Sequence, residues 1–282
     1  MIIGKDTNIV YISDILRKDS RYSESYKSLI KIFDECNIKY NFIRGAKDIW
    51  CRDYMPIQIN DNDFVQFRYD PLYLKGYDNI KTNTVEVNIL NNINPSYSNI
   101  IIDGGNIVNW CDKAIITDRV FDDNLGFKKK DIIDIIEQTL NCEVIIIPQI
   151  KNDLTGHSDG LVRFINGDTL VGTDRNLEYK YWTKKMKKIL KKYKLNYIDV
   201  PTFHDSNKKY PHSAIGCYVN YLEINKYIIL PIFEMNEKDD EAVDLFSQIF
   251  KDRIIKTVNI NDIAVWGGLL NCITWNIKKE HI

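Results

Sequence analysis

A thiol, an imidazole and several carboxylates recur in short polar stretches along the chain. They are Asp53 in "WCRDYMP", Asp103 in "IIDGGN", His157 and Asp159 in "TGHSDG", and Cys272 in "GGLLNC". A cysteine with a histidine is equipment for nucleophilic catalysis, since the thiolate attacks while the imidazole moves protons. The surplus carboxylates decide what could be attacked. They raise the pKa of a nearby thiol and repel a developing oxyanion, which handicaps ordinary acyl transfer. A cationic electrophile suits them better. A guanidinium is planar, permanently charged, and presents forked N–H donors that match carboxylates two at a time. Two carboxylates would hold it flat, and Trp50 could stack on a face or line the wall.

These stretches are far apart in sequence, so something must bring them together. "GNIVNWCDKAIITDRVFDD", "KKKDIIDIIEQTLN" and "CEVIIIP" read as two strands, an amphipathic helix and a buried strand. The same order recurs in "DGLVRFINGDTLVGTDRN", "LEYKYWTKKMKKILKKYK" and "LNYIDVP", where Asn166-Gly167 marks a hairpin turn. A third copy runs through "CYVNYLEINKYIILPIFEM" to "DRIIKTVNI", and a less regular one begins between Arg52 and Pro71. These are ββαβ units. After Cys272 the chain supplies only one more strand, while its beginning supplies "NIVYIS", a helix from Tyr22 to Cys36 and "KYNFIR". A fifth unit shared by the two termini would close a ring, and one domain over residues 1–282 is expected. Each polar stretch falls just before the first strand of its unit. Units circling an axis would therefore bring them to one end of it.

In this order, "W-x-R-D-x-x-P" at Trp50–Pro56, "D-G-G-N" at Asp103–Asn106, "G-H-x-D" at Gly156–Asp159 and "G-G-x-x-x-C-I-T" at Gly267–Thr274 resemble the guanidino-group-modifying enzymes of the pentein fold. Within that superfamily the resemblance is to the agmatine deiminase and bacterial-type peptidylarginine deiminase branch. It implies an α/β propeller of five ββαβ units around a pseudo-five-fold axis, the last shared by the termini. It also implies that Cys272 attacks the guanidinium carbon, giving a covalent thiouronium. His157 would protonate departing ammonia and later activate water, Asp53 and Asp159 would grip the guanidinium nitrogens, and Asp103 would contact His157. The substrate implied first is agmatine, giving N-carbamoylputrescine, with arginine or peptidyl-arginine next and no metal or other cofactor. Asp103 stands where many relatives carry glutamate, and Trp266 and Asn271 replace a glycine and a histidine ahead of the nucleophile. These positions line or support the pocket. Arg163 is a candidate contact for a substrate carboxylate, and Arg52 is expected to pair with a carboxylate.

The same residues serve amidino transfer, or guanidinium binding without turnover, so both alternatives stay open. A net charge of −1 over 282 residues argues against a duplex nucleic-acid partner, which needs a positive footprint. The opening "MIIGKDTNIVYISDIL" lacks the apolar run of a signal peptide or membrane span. The lysines of Lys180–Lys194 surround an apolar stripe and read as a solvated helix face rather than a membrane patch. Six scattered cysteines without a C-x-x-C pair suggest reduced thiols and a cytoplasmic location, with Cys36, Cys51, Cys111, Cys142 and Cys217 as packing residues. His204, His212 and His281 lie outside any motif, so no metal site is expected. A homo-oligomer is left open.

Overall fold

The computed structural model describes residues 1–205 and 208–279, and His281 lies outside them. Strands β1 (Ile9–Ser13) and β2 (Lys39–Ile43) run parallel, joined through the helix Ser23–Glu35. A parallel pair needs such a crossover, whereas an antiparallel pair closes with a tight turn. Each later unit uses both devices. Strands β3 (Ile57–Gln58), β4 (Phe64–Arg68) and β5 (Ser96–Ile101) form the first, with the helix Thr84–Leu90. Strands β6 (Val108–Trp110), β7 (Lys113–Thr117) and β8 (Glu143–Ile147) form the second, with Lys129–Leu140. Then come β9 (Val162–Phe164), β10 (Thr169–Thr173) and β11 (Asn196–Val200) with Lys180–Tyr193. Strands β12 (Leu222–Ile224), β13 (Tyr227–Ile232) and β14 (Ile254–Asn259) follow with Asn236–Ile249.

The last strand, β15 (Thr274–Ile277), returns to pair antiparallel with β1, placing Trp275 opposite Tyr11. The two termini thus share one unit, and five three-stranded sheets result, each with its second strand at the centre. The irregular copy after Arg52 completes itself only across the long connection from Tyr69 to Asn83, which lacks any strand or long helix.

Apolar side chains settle at the junctions between units. Val65, Phe67 and Ile100 of the first unit pack with Ile116, Ile132 and Ile136 of the second. Ile115 and Ile145 of the second pack with Leu170, Trp182 and Met186 of the third. A larger cluster joins Val171 and Val200, Leu230 and Phe246, and Leu29 and Phe33, while Ile9, Ile43 and Trp275 meet Tyr54 and Val87 to close the circle. No unit buries its faces alone, which is why the ring must close. The lysine-rich helix behaves as its periodicity requires: Trp182, Met186 and Leu190 are buried, and the Trp182 indole donates to the Pro148 carbonyl at 2.8 Å. Cys111 departs from expectation. It is exposed in the β6–β7 turn, with φ of 44°.

Candidate active site

Four of the five units contribute to one buried cluster just before their first strand, and the fourth adds the residue that holds the nucleophile. A single helical turn, Cys51–Tyr54, ahead of β3 carries Asp53. Asp103 precedes the 3-10 turn Gly104–Asn106 that leads into β6. The segment before β9 carries His157 and Asp159, turned by Gly156 at φ of 66°. Cys272 lies two residues before β15.

Glycine is required at the crossing point. The Gly105 N–H donates to Asp53 Oδ1 at 3.1 Å, and its carbonyl accepts the Asp159 N–H at 3.1 Å. A Cβ at Gly105 would lie 2.6 Å from both Asp53 Oδ1 and His157 Nδ1. One residue of the second unit therefore ties the first and third units together, and only a residue without a side chain fits there.

His157 is bracketed by carboxylates. Its Nε2 lies 2.9 Å from Asp103 Oδ2 and its Nδ1 lies 3.5 Å from Asp53 Oδ1. Burial works against a charged imidazole here, but Asp53, Asp103 and Asp159 outweigh it and push the His157 pKa up to about 10. With acceptors on both sides, the ring carries both protons. Burial also pushes the Asp53 carboxyl up, with the neighbouring His157 opposing and Asp103, Asp159 and Asp48 adding to the rise. Asp48 behaves similarly, raised to about 6 by burial, while its carboxylate accepts the Trp50 N–H at 2.8 Å.

The Cys272 sulfur lies 3.7 Å from Asp159 Oδ2 and 3.5 Å from Asn220 Oδ1. Burial, then the Asp159 and Asp53 charges, push the thiol well above its ordinary range. These surroundings keep the thiol protonated. A cation entering among the carboxylates partly neutralises their field at the sulfur, which favours the thiolate.

Asn271 joins the cluster by donating to Asp159 Oδ2 at 2.7 Å. Trp50 is partly buried, and its ring covers Gly268, where a Cβ would fall 2.3 Å from the indole. Arg163 has other commitments. Its Nη1 donates to the Tyr221 carbonyl at 3.0 Å, and its guanidinium lies 4.7 Å from the Tyr221 ring centre. Among the described residues Arg52 pairs with no carboxylate, contrary to expectation. It donates to the Asn271 carbonyl at 3.3 Å and to Asn276 Oδ1 at 2.6 Å, while its own N–H holds the Cys272 carbonyl at 3.0 Å. Arg52 therefore braces the nucleophile segment from behind. Trp266 is exposed, with its ring against Tyr210 and Arg21.

Two residues escaped the sequence reading. Asn220 is buried just before β12, and its Oδ1 accepts the N–H groups of Asn271 at 3.0 Å and Cys272 at 3.3 Å. It occupies, in the fourth unit, the place where the other units carry their polar residues. Applying the repeat to "CYVNYLEI" would have found it. Tyr73 donates to Asp103 Oδ2 at 2.7 Å from the long connection after β4, and no motif marks it.

A family model of Porphyromonas-type peptidyl-arginine deiminases matches residues 11–277. The chain belongs to that family. A curated Photobacterium profundum protein, provisionally named an agmatine deiminase, is 26% identical over 184 residues, 55% of this chain and 50% of that protein. The match thus spans about half the length of that relative. A second such protein, from Listeria monocytogenes, is 37% identical over 78 residues, 26% of this chain and 21% of its own. Among solved structures, an agmatine deiminase of C. jejuni with substrate bound has a TM-score of 0.78 at 18% identity, covering 100% of this chain and 96% of its own. That of Enterococcus faecalis has a TM-score of 0.75 at 14% identity, covering 98% and 94%. The fold they share with this family member is the five-unit pentein propeller.

Among the described residues no helix is long and apolar enough to cross a membrane. Nor, among them, do His, Cys, Asp and Glu side chains gather in a set that could hold a metal ion.

Proposed function

We propose that this protein is a thiol-dependent guanidine deiminase that converts agmatine to N-carbamoylputrescine with release of ammonia. The observation that carries this reading is the juxtaposition of the Cys272 thiol with Asp159, beside an imidazole held charged between Asp53 and Asp103. The surplus carboxylates disfavour a neutral acyl substrate and suit a guanidinium.

Asp53 and Asp159 accept the guanidinium N–H groups. The bound charge lowers the Cys272 pKa, the thiol proton is lost to solvent, and the thiolate adds to the central carbon, its new C–S bond displacing the C=N π bond. His157 gives its Nδ1 proton to one nitrogen, the C–N bond breaks, and ammonia leaves. The covalent thiouronium is then hydrolysed by a water that returns its proton to His157, and the thiol is regenerated with the ureido product. No step calls for a metal. The names of the curated relatives favour agmatine within this chemistry.

The test is ammonia and ureido formation from agmatine, arginine and a terminal peptidyl-arginine, with Cys272→Ala as control. Turnover of agmatine that Cys272→Ala abolishes supports the proposal. A wild-type protein as inactive as the variant on all three compounds overturns it, and turnover that depends on an added amine assigns amidino transfer instead.

A further inference from the structure

Tyr73 stands outside every motif, yet its phenol reaches the middle of the buried cluster. It comes from a 3-10 turn, Leu72–Leu74, in the connection between β4 and the helix Thr84–Leu90. The Leu72 N–H donates to Asp123 Oδ1 at 3.1 Å, and Asp123 is paired with Arg119 at 3.1 Å. The Arg119 guanidinium in turn lies 5.8 Å from the centre of the Tyr73 ring. The turn is thus pinned from the second unit, and the phenol is delivered to Asp103 in a fixed pose.

The arrangement at Asp103 is asymmetric. Tyr73 Oη at 2.7 Å and His157 Nε2 at 2.9 Å both fall on Oδ2. Oδ1 is buried and has no hydrogen-bond partner among the described residues. The His157 and Tyr73 rings meet edge to face with centres 6.2 Å apart. Two donors on one oxygen compete for the same electron density. Each weakens the other's hold compared with a carboxylate oxygen of its own.

We propose that Tyr73 is a positioning residue for His157: by sharing Asp103 Oδ2 it fixes the carboxylate and weakens its stabilisation of the imidazolium through Nε2, so that the Nδ1 proton is given up more readily. This rests on the deiminase reading, in which His157 must surrender a proton to departing ammonia and later recover it. The groups facing His157 are Asp53, Asp103 and Asp159; the Gly105 N–H donates to Asp53, the Asn271 amide to Asp159 and the Tyr73 hydroxyl to Asp103, and of these only the last shares its acceptor oxygen with His157. Burial and the Asp103 charge hold the Tyr73 phenol well above its ordinary range, so it stays a donor throughout the working pH. An imidazolium facing three carboxylates without this partner would hold its proton too tightly to serve as a general acid.

The experiment is Tyr73→Phe, which removes the hydroxyl and keeps the ring, read first by NMR titration of His157 in the free protein. The midpoint should rise by about one pH unit, because Asp103 then spends its charge on His157 alone. Turnover of agmatine should show kcat reduced on the order of tenfold with KM changed by less than about twofold. Replacing Tyr73 with 3-fluorotyrosine, a stronger donor of nearly the same shape, should move the His157 midpoint down. A midpoint unchanged or lowered in Tyr73→Phe, or unmoved by fluorination, overturns the assignment. The titration needs no substrate, so it decides the role of Tyr73 even if the wild-type protein turns over no guanidine.

Discussion

Replacing Gly105 with alanine should disable the site while leaving the five-unit ring folded. The added methyl would sit 2.6 Å from Asp53 Oδ1, 2.6 Å from His157 Nδ1 and 3.3 Å from His157 Cε1. That is roughly 1 Å inside ordinary contact. Neither neighbour can swing away freely, because Asp53 accepts the N–H of Gly105 itself and His157 is pinned to Asp103 at 2.9 Å. Overpacking of this kind costs about 1–3 kcal/mol, and misplacing a catalytic group by about 1 Å costs on the order of a hundredfold in rate. The assay pairs urea unfolding with ammonia release from agmatine. Gly126→Ala is the control, since a Cβ there meets nothing within 4 Å. If Gly105→Ala kept kcat/KM within about threefold of that control, the contact reasoning would be refuted.

Stability should fall as pH rises across the alkaline range. In the folded protein His157 is raised to about 10, so the stability it supplies is fully present below its unfolded value of about 6.5 and disappears as pH climbs towards 10. His157→Gln should therefore flatten the dependence of the unfolding midpoint on pH between about 6.5 and 10, and an equally steep curve in the variant would count against the imidazolium. Asn220→Ala would strand the Cys272 N–H, now held at 3.3 Å, and leave the Asn271 N–H only its longer bond to the Asn220 carbonyl at 3.4 Å. It should cost about 1–3 kcal/mol of stability and slow the alkylation of Cys272 by a haloacetamidine, measured by mass spectrometry.

The sequence carried the local part of this protein by itself. Strand alternation, helix periodicity and the Asn166-Gly167 turn depend on neighbouring residues, so the ββαβ repeat and the unit split between β15 and β1 could be read directly. The residue types were legible for the same reason: a thiol, an imidazole and carboxylates at equivalent places in a repeat imply one pocket. Contacts made across units could not be read. Whether Asp103 reaches His157, and with which oxygen, depends on the approach of two separate units through Gly105. Arg52 looked like a partner for a carboxylate because an isolated motif shows charge but not direction, and the ring turns it instead towards Asn276 and the Cys272 segment. Tyr73 lies in a connection with no periodicity, where only tertiary packing against Asp123 and Arg119 determines where a side chain ends. Local sequence fixes which groups are available. Their distances, and hence their charges, come from long-range packing that no local pattern encodes.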